Sequence, residues 1–135
     1  MNQITIIGNI GQQPELRVSP SGVAVIDFSV GVTRKVKDVK ETEWFDVVAF
    51  TELADHFAHS FGKGNRVIII GRMQRKEWVG KDGKKGYKMQ IIADDGGLSC
   101  RWNNTFVENF TAIKEAVAPM FQGSTVSIPD LDEPF

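Results

Sequence analysis

Aromatic side chains are interleaved with lysine and arginine between residues 44 and 88 of this 135-residue chain. Trp44 and Phe50 lie six residues apart in an alternating segment, so both rings point to the same face of a strand. Rings of this kind stack on unpaired bases without regard to sequence, while the neighbouring cations hold phosphates. We therefore predict a surface for single-stranded nucleic acid, formed by Trp44, Phe50, Trp78, Tyr87, Arg34, Lys35, Arg72, Arg75, Lys76, Lys84, Lys85 and Lys88.

The alternative is that these rings belong to the core and that the lysine-rich segment is a solvated turn. Phe45, Val47 and Ala49 already supply an apolar face to the same strand, which directs Trp44 and Phe50 to the other side. Duplex recognition would require a helix with polar residues to fill a groove, and no segment has that pattern. Single-stranded nucleic acid is the favoured ligand.

Other groupings of reactive residues are weaker. Asp55, His56 and His59 fall on one predicted helix, but a metal site needs more ligands and supporting contacts. A single cysteine, Cys100, excludes an internal disulfide and any cysteine-cluster zinc site. No nucleophile can be matched with a base. We predict no catalytic residue, no metal and no cofactor, although a nuclease or other metal enzyme that uses Asp55, His56 and His59 is a rival hypothesis.

A small barrel is the predicted scaffold for the aromatic and basic residues. Apolar alternation predicts strands, and residues 52–61 have helical spacing, with Leu53, Phe57 and Phe61 on one face. A helix between the third and fourth strands favours an OB-fold, a five-stranded Greek-key barrel in an all-β domain, over an SH3-like barrel. The predicted strands are 3–10, 23–33, 43–50, 65–78 and 87–93.

The connections are predicted from turn residues and charge. Residues 34–42 read as a charged loop, and residues 79–86 read as a hairpin tip. Thr51 is the expected helix N-cap, and Gly71 is expected to bend the fourth strand. Leu98–Trp102 could add a short further strand.

Charge is distributed unevenly along the chain. Residues 1–102 carry 15 basic and 12 acidic side chains, whereas residues 103–135 carry one basic and five acidic ones. This asymmetry suggests a polyanion-binding body with an acidic arm. We predict a domain over 1–102, a short linker over 103–129 that has helical spacing in part, and an acidic tip that binds partner proteins. The tip consists of Asp130, Leu131, Asp132, Glu133, Pro134 and Phe135.

Several motifs resemble the bacterial single-stranded-DNA-binding protein family. They are ITIIGNIG at 4–11, TEWFDVVAF at 42–50, the Lys63-Gly64 pair, the stretch from Trp78 to Tyr87, and the sequence DLDEPF at 130–135. The LSCRW segment at 98–102 is most similar to the actinobacterial branch. Residues 34–40 lack the aromatic that many relatives carry in this loop, and the usual long Gly/Pro/Gln-rich linker is missing.

No segment is apolar for long enough to span a membrane, and the N-terminus has no signal-peptide pattern, so we expect a non-enzymatic protein of the cytoplasm, associated with the nucleoid and with no membrane partner. The resemblance implies a homotetramer. It implies that DNA wraps over several subunits, that Phe45 matches a subunit-contact position, and that the acidic tip recruits replication, recombination and repair proteins. A second hypothesis is an adaptor whose main role is protein recruitment. Quenching of tryptophan fluorescence by oligo-dT would separate these two hypotheses.

Overall fold

The computed structural model describes residues 1–107, and the acidic tip and most of the predicted linker lie outside them. By internal contacts the chain divides into Met1–Ser99 and a second unit that begins at Cys100. The first unit contains six strands and one helix. They are β1 (Ile4–Ile10), β2 (Glu15–Val18), β3 (Ala24–Val36), β4 (Val39–Phe50), α1 (Thr51–Ser60), β5 (Arg66–Val79) and β6 (Lys85–Leu98).

Five of the strands close into a barrel. The order of the sheet is β1-β5-β6-β4-β3-β2, and a further pairing of β1 with β3 closes the barrel, leaving β2 as an added edge strand. Neighbours are antiparallel except β4 and β6, which pair in parallel through Val47 with Ile91 and Val48 with Ile92. This closure with one helix confirms the predicted OB-fold. The short β2 was not predicted; it pairs with the start of β3, so α1 follows the fourth strand in chain order.

The core lies inside the barrel and is closed by α1. Val47 and Ala49 of β4 are buried, as their alternation predicts, and Phe45 packs against the same cluster. Phe57 of α1 stacks on Phe61 with ring centroids 4.6 Å apart, and both rings meet Phe28 of β3 edge to face. The helical face predicted from Leu53, Phe57 and Phe61 is confirmed, because all three residues belong to the core or pack against it.

The segment predicted as a charged loop over 34–42 is a β-hairpin. β3 and β4 remain paired up to Val36 and Val39, and the turn between them has positive φ at Lys37 (50°) and Asp38 (64°). Two successive residues with positive φ form a type I′ turn, whose twist matches the flanking strands. The loop prediction was wrong because the alternation of this segment is polar on both faces and gives no burial signal.

Two other local predictions were wrong, and one was confirmed. The N-cap of α1 is Phe50, without a side-chain cap, and the Thr51 hydroxyl donates instead to the Phe50 carbonyl at 2.7 Å. The residues after Leu98 form no further strand within the described range, because Leu98 is the end of β6. The bend expected at Gly71 is present as a shift in the β5–β6 register between Ile70 and Gly71.

Candidate nucleic-acid interface

The register of the barrel strands places three of the predicted rings on one surface. Side chains of β4 alternate between the core and the solvent side, so Trp44 and Phe50 both point away from Val47. Residues paired across antiparallel strands share a face, which assigns Trp78 to the same side as Lys76 and Lys88. We call this surface the outer face; its members are Trp44, Asp46, Val48, Phe50, Arg72, Gln74, Lys76, Trp78, Lys88 and Gln90.

The rings of the outer face are accessible. Trp44 is 61% exposed, Trp78 is 46% exposed and Phe50 is 41% exposed. The core interpretation of Trp44 and Phe50 is therefore wrong, because the interior is filled from the opposite side of β4. Val48, between the two rings in sequence, is buried in a separate small cluster with Val25 and Ile92. These three side chains form a small apolar patch on the outer side of the sheet, next to Phe50.

Ion pairs and a polar cleft occupy the middle of the outer face. Lys88 Nζ lies 3.2 Å from Asp46 Oδ2, and the Ser29 hydroxyl donates to the other oxygen of Asp46 at 3.2 Å. Arg17 pairs with Asp27 at 2.6 Å. A cleft of about 430 Å³ adjoins all of these groups. Its polar lining suits a charged, hydrated ligand. The ion pairs beside it can exchange partners readily, because ion pairs at an exposed surface are weak.

Lys76 also lines this cleft, directly across from Lys88 in the β5–β6 register. Within residues 1–107 it has no carboxylate partner. Arg72, by contrast, lies 4.0 Å from Asp94. The cations of the outer face thus differ: Lys88 and Arg72 would have to leave a carboxylate to contact another anion, whereas Lys76 has none to leave within residues 1–107.

Tyr87 is on the other side of the same β5–β6 hairpin. It pairs with Glu77, and Arg75 pairs with Met89; both pairs are one residue out of phase with Lys76 and Lys88. The Arg75 guanidinium lies 3.9 Å from the centroid of the Tyr87 ring. We call this surface the reverse face; it consists of Arg75, Glu77, Val79, Lys85, Tyr87 and Met89.

The predicted basic residues separate in the same way. Arg34 is out of phase with Trp44 on the β3–β4 hairpin and lies near Glu41 (3.4 Å) and Glu43 (3.8 Å). Lys35 is in phase with the tryptophan and lies 3.5 Å from Asp38. Lys84 is in the turn between β5 and β6, where its N–H bonds to the Asp82 carboxylate at 3.1 Å. The structure thus places some of the predicted basic residues on the outer face. The others lie on the reverse face, on the β3–β4 hairpin or in the β5–β6 turn.

Sequence reasoning missed the contribution of β2 and of the acidic groups. Arg17, Asp27 and Asp46 line the same cleft on or beside the outer face, although they are far apart in the sequence. Alternation along β4 does assign Asp46 to the same side as Trp44, but it does not predict its ion pair with Lys88. No local pattern identifies Arg17, because β2 is exposed along its whole length.

Within residues 1–107, the helix histidines are not grouped with enough other ligands to hold a metal ion. His59 Nδ1 lies 2.8 Å from the Asp55 carbonyl oxygen and 3.5 Å from its carboxylate. Among the described residues there is no group of three or more His, Cys, Asp or Glu side chains that could hold a metal ion. In the same part of the chain, no helix is long and apolar enough to span a membrane.

The second unit is described only as far as Val107. The Cys100 thiol lies 3.2 Å from the Thr105 hydroxyl, and the Arg101 guanidinium lies 5.5 Å from the centroid of the Trp102 ring. The possible helix that begins near Thr105 and the acidic tip lie outside the described residues.

A barrel of this topology with exposed rings and cations on one side defines an OB-fold binding domain. The family model described as "Single-strand binding protein family" matches residues 1–99. Single-stranded DNA-binding proteins are similar to this chain in Paenarthrobacter aurescens (36% identity over 111 residues, 77% of this chain) and Mycolicibacterium smegmatis (35% over 106 residues, 73%). The protein of that name in Mycobacterium bovis is 36% identical over 106 residues, again 73% of this chain.

The chain belongs to the single-strand binding protein family. These actinobacterial relatives also confirm the resemblance noted from the LSCRW segment. The chain covers 65%, 64% and 65% of the length of the three relatives, respectively.

Proposed function

We propose that this protein binds single-stranded DNA along its outer face, without regard to sequence and without catalysis. The observation that carries the proposal is the placement of Trp44, Phe50 and Trp78, all exposed, on one side of a sheet that also bears Lys76 and Lys88. Base stacking on rings is tolerant of sequence, because every base has a π-face. The names of the relatives support the same ligand.

The geometry favours single strands over duplex. Rings on a sheet accept bases only when the bases are unpaired and can turn toward the protein. A duplex presents phosphates outward, so it would meet the lysines while the rings remained unused. Selectivity therefore depends on the aromatic side chains, and the lysines supply affinity that falls with salt.

The test is a titration of intrinsic tryptophan fluorescence with oligo-dT and with duplex of the same length. Oligo-dT should quench the emission and bind far more tightly. Its binding constant should fall as salt rises, with a slope of about 0.7 per phosphate neutralised on a log–log plot. Equal affinity for the duplex would contradict the proposal.

We also propose that the protein assembles as a homotetramer, over whose subunits DNA would wrap. Phe45 is only partly buried while it packs on the core of its own subunit, so part of the ring is available to a neighbour. Ile7 of β1 and Leu16 and Val18 of β2 are exposed as well. Apolar side chains on barrel strands are typical of surfaces that association covers.

The acidic segment 130–135 is proposed to recruit replication, recombination and repair proteins. Its carboxylates cannot anchor a core, and Pro134 disfavours a regular helix. Leu131 and Phe135 are its only apolar residues. A partner would need a small apolar pocket surrounded by arginine or lysine, a combination that gives specificity and attracts the acidic segment over distance. We expect this activity in the cytoplasm, at the nucleoid.

A further inference from the structure

Glycines lie directly beneath two tryptophans of the outer face. A Cβ atom placed on Gly86 would be 2.7 Å from Cε2 and Cζ2 of Trp78 and 3.0 Å from its Nε1. A Cβ atom on Gly11 would be 2.5 Å from Cζ3 of Trp44 and 2.8 Å from its Cη2. The indole rings therefore occupy space that any larger residue would fill.

The two glycines differ from those that the fold itself requires. A Cβ atom on Gly8 would lie 2.3 Å from the Gly31 carbonyl oxygen, and one on Gly71 would lie 2.1 Å from the Ile92 carbonyl oxygen. Those contacts are with backbone, which cannot move without disturbing the barrel. At Gly11 and Gly86 the three nearest heavy atoms all belong to the tryptophan side chain. Neither of these two glycines has a positive φ, so backbone conformation does not demand glycine there.

Gly31 adds a second contact beneath Trp44. It is the direct cross-strand partner of Trp44 and is buried, and its Cβ atom would lie 3.1 Å from Cζ3 and Cη2 of the ring. Gly86 is likewise the cross-strand partner of Trp78. Aromatic side chains placed across from glycines in a sheet cover the exposed backbone. The same arrangement thus occurs in two separate hairpins.

We propose that Gly11 and Gly86 are positioning residues, which seat Trp44 and Trp78 against the sheet so that one side of each ring is held and the other is presented to a base. The inference rests on the proposed binding of single-stranded DNA and explains how the rings are preorganised for it. A ring supported by backbone loses less rotamer freedom when a base stacks on it. Ordering the ring therefore reduces the affinity less. A methyl group at either glycine would lift the ring and release it.

The experiment uses the full chain with Trp78 as its only tryptophan, obtained by Trp44→Phe and Trp102→Phe. Gly86→Ala is compared in this background with Gly97→Ala. Both positions lie in β6, but a Cβ atom on Gly97 would meet nothing within 4 Å. Without DNA, Gly86→Ala should change the acrylamide quenching and the fluorescence anisotropy of Trp78, and Gly97→Ala should change neither.

With oligo-dT, Gly86→Ala should raise the Kd by roughly threefold or more, part of the cost of losing a stacked base. That cost should shrink at least twofold when Trp78 is replaced by phenylalanine, since the smaller ring leaves room for the methyl group. Affinity in this second comparison is followed by the anisotropy of labelled oligo-dT. A purely structural glycine would give the same cost with either ring.

Two results would overturn the inference. In the first, the acrylamide quenching and the anisotropy of Trp78 in Gly86→Ala are the same as in the parent protein. In the second, Gly86→Ala fails to fold, although the geometry requires only the indole to move. Gly11→Ala with Trp44 as the only tryptophan repeats the test at the other ring, where the glycine directly follows β1. If the parent protein does not bind oligo-dT, the proposed function fails, while the quenching comparison without DNA still decides whether the glycines seat the rings.

Discussion

Lys88 of β6 and Asp46 of β4 form an ion pair across the outer face, with Nζ and Oδ2 3.2 Å apart. Both side chains remain about half exposed, and Ser29 holds the second oxygen of the carboxylate. The pair lies on the same outer face as the exposed tryptophans. On the proposed binding surface, Asp46 would compete with DNA for Lys88 and would also repel the DNA backbone.

Asp46→Asn should strengthen the binding of oligo-dT. Removing a unit charge about 4 Å from a phosphate removes roughly 1 kcal/mol of repulsion in water, which is about a fivefold decrease in Kd. The log–log salt slope should steepen, because Lys88 is free to neutralise a phosphate. Asp55→Asn on α1, away from the outer face, is the control for net charge. A Kd that is unchanged in D46N, or equally lowered in both variants, would show that the pair does not oppose binding.

Trp78 and Tyr87 lie on different faces of the β5–β6 hairpin, so we expect their substitutions to affect the binding of short and long DNA differently. A short oligo-dT of about eight nucleotides, within the range of one OB-fold, should depend on Trp78 and be insensitive to Tyr87→Ala. A strand several times longer can pass from the outer to the reverse face, where Arg75 stacks on Tyr87, and there Tyr87→Ala should weaken binding. Labelled oligonucleotides of both lengths supply the measurement. An equal loss on the short strand for Tyr87→Ala and Trp78→Ala would contradict the separation of the faces.

The proposed assembly predicts a mass of four times 15.0 kDa in light scattering at micromolar concentration. Replacing Phe45 by a charged residue should lower this mass, because a charge at a covered apolar contact must be desolvated. Replacing the exposed Val79 of the reverse face in the same way is the matched comparison. A monomeric parent protein would exclude the tetramer.

Deletion of residues 130–135 should separate DNA binding from recruitment. Oligo-dT affinity should stay the same or rise slightly, because the segment is a local polyanion that competes for the basic surface. Capture of repair helicases, nucleases or polymerase accessory subunits should be lost. The pull-down is made from lysate freed of nucleic acid, so that DNA cannot bridge the proteins. If the shortened protein still captures these partners, recruitment depends on another part of the chain.

The barrel could be predicted from the sequence wherever one side of a strand is buried. Alternation at Phe45, Val47 and Ala49 identified the core side of β4, and helical spacing identified α1 by Phe57 and Phe61. The same reasoning failed for the arm of the β3–β4 hairpin. Both faces of this arm are polar and give no burial signal, so residues 34–42 read as a loop although they form a paired hairpin.

The exposed aromatic residues of the candidate site could also be predicted, but their grouping on two faces could not. Interleaving of rings with cations identified Trp44, Phe50, Trp78 and Tyr87, yet the face of each ring depends on register. A shift of one residue along a strand moves a side chain to the other face, so Tyr87 and Trp78 lie on different faces of the same hairpin. The proposed role of Gly86 could not be predicted for a similar reason. Its contact with Trp78 exists only once β5 and β6 are paired.

The central claim is that single-stranded DNA stacks on the tryptophans of the outer face. The most direct test compares oligo-dT affinity for Trp44→Ala and Trp78→Ala with that of Trp102→Ala, an exposed tryptophan of the second unit. Each outer-face variant should keep its fold and lose ~1–3 kcal/mol of binding free energy, the usual value of a stacked base, while Trp102→Ala should bind as the parent does. Normal affinity in the folded outer-face variants would contradict the claim.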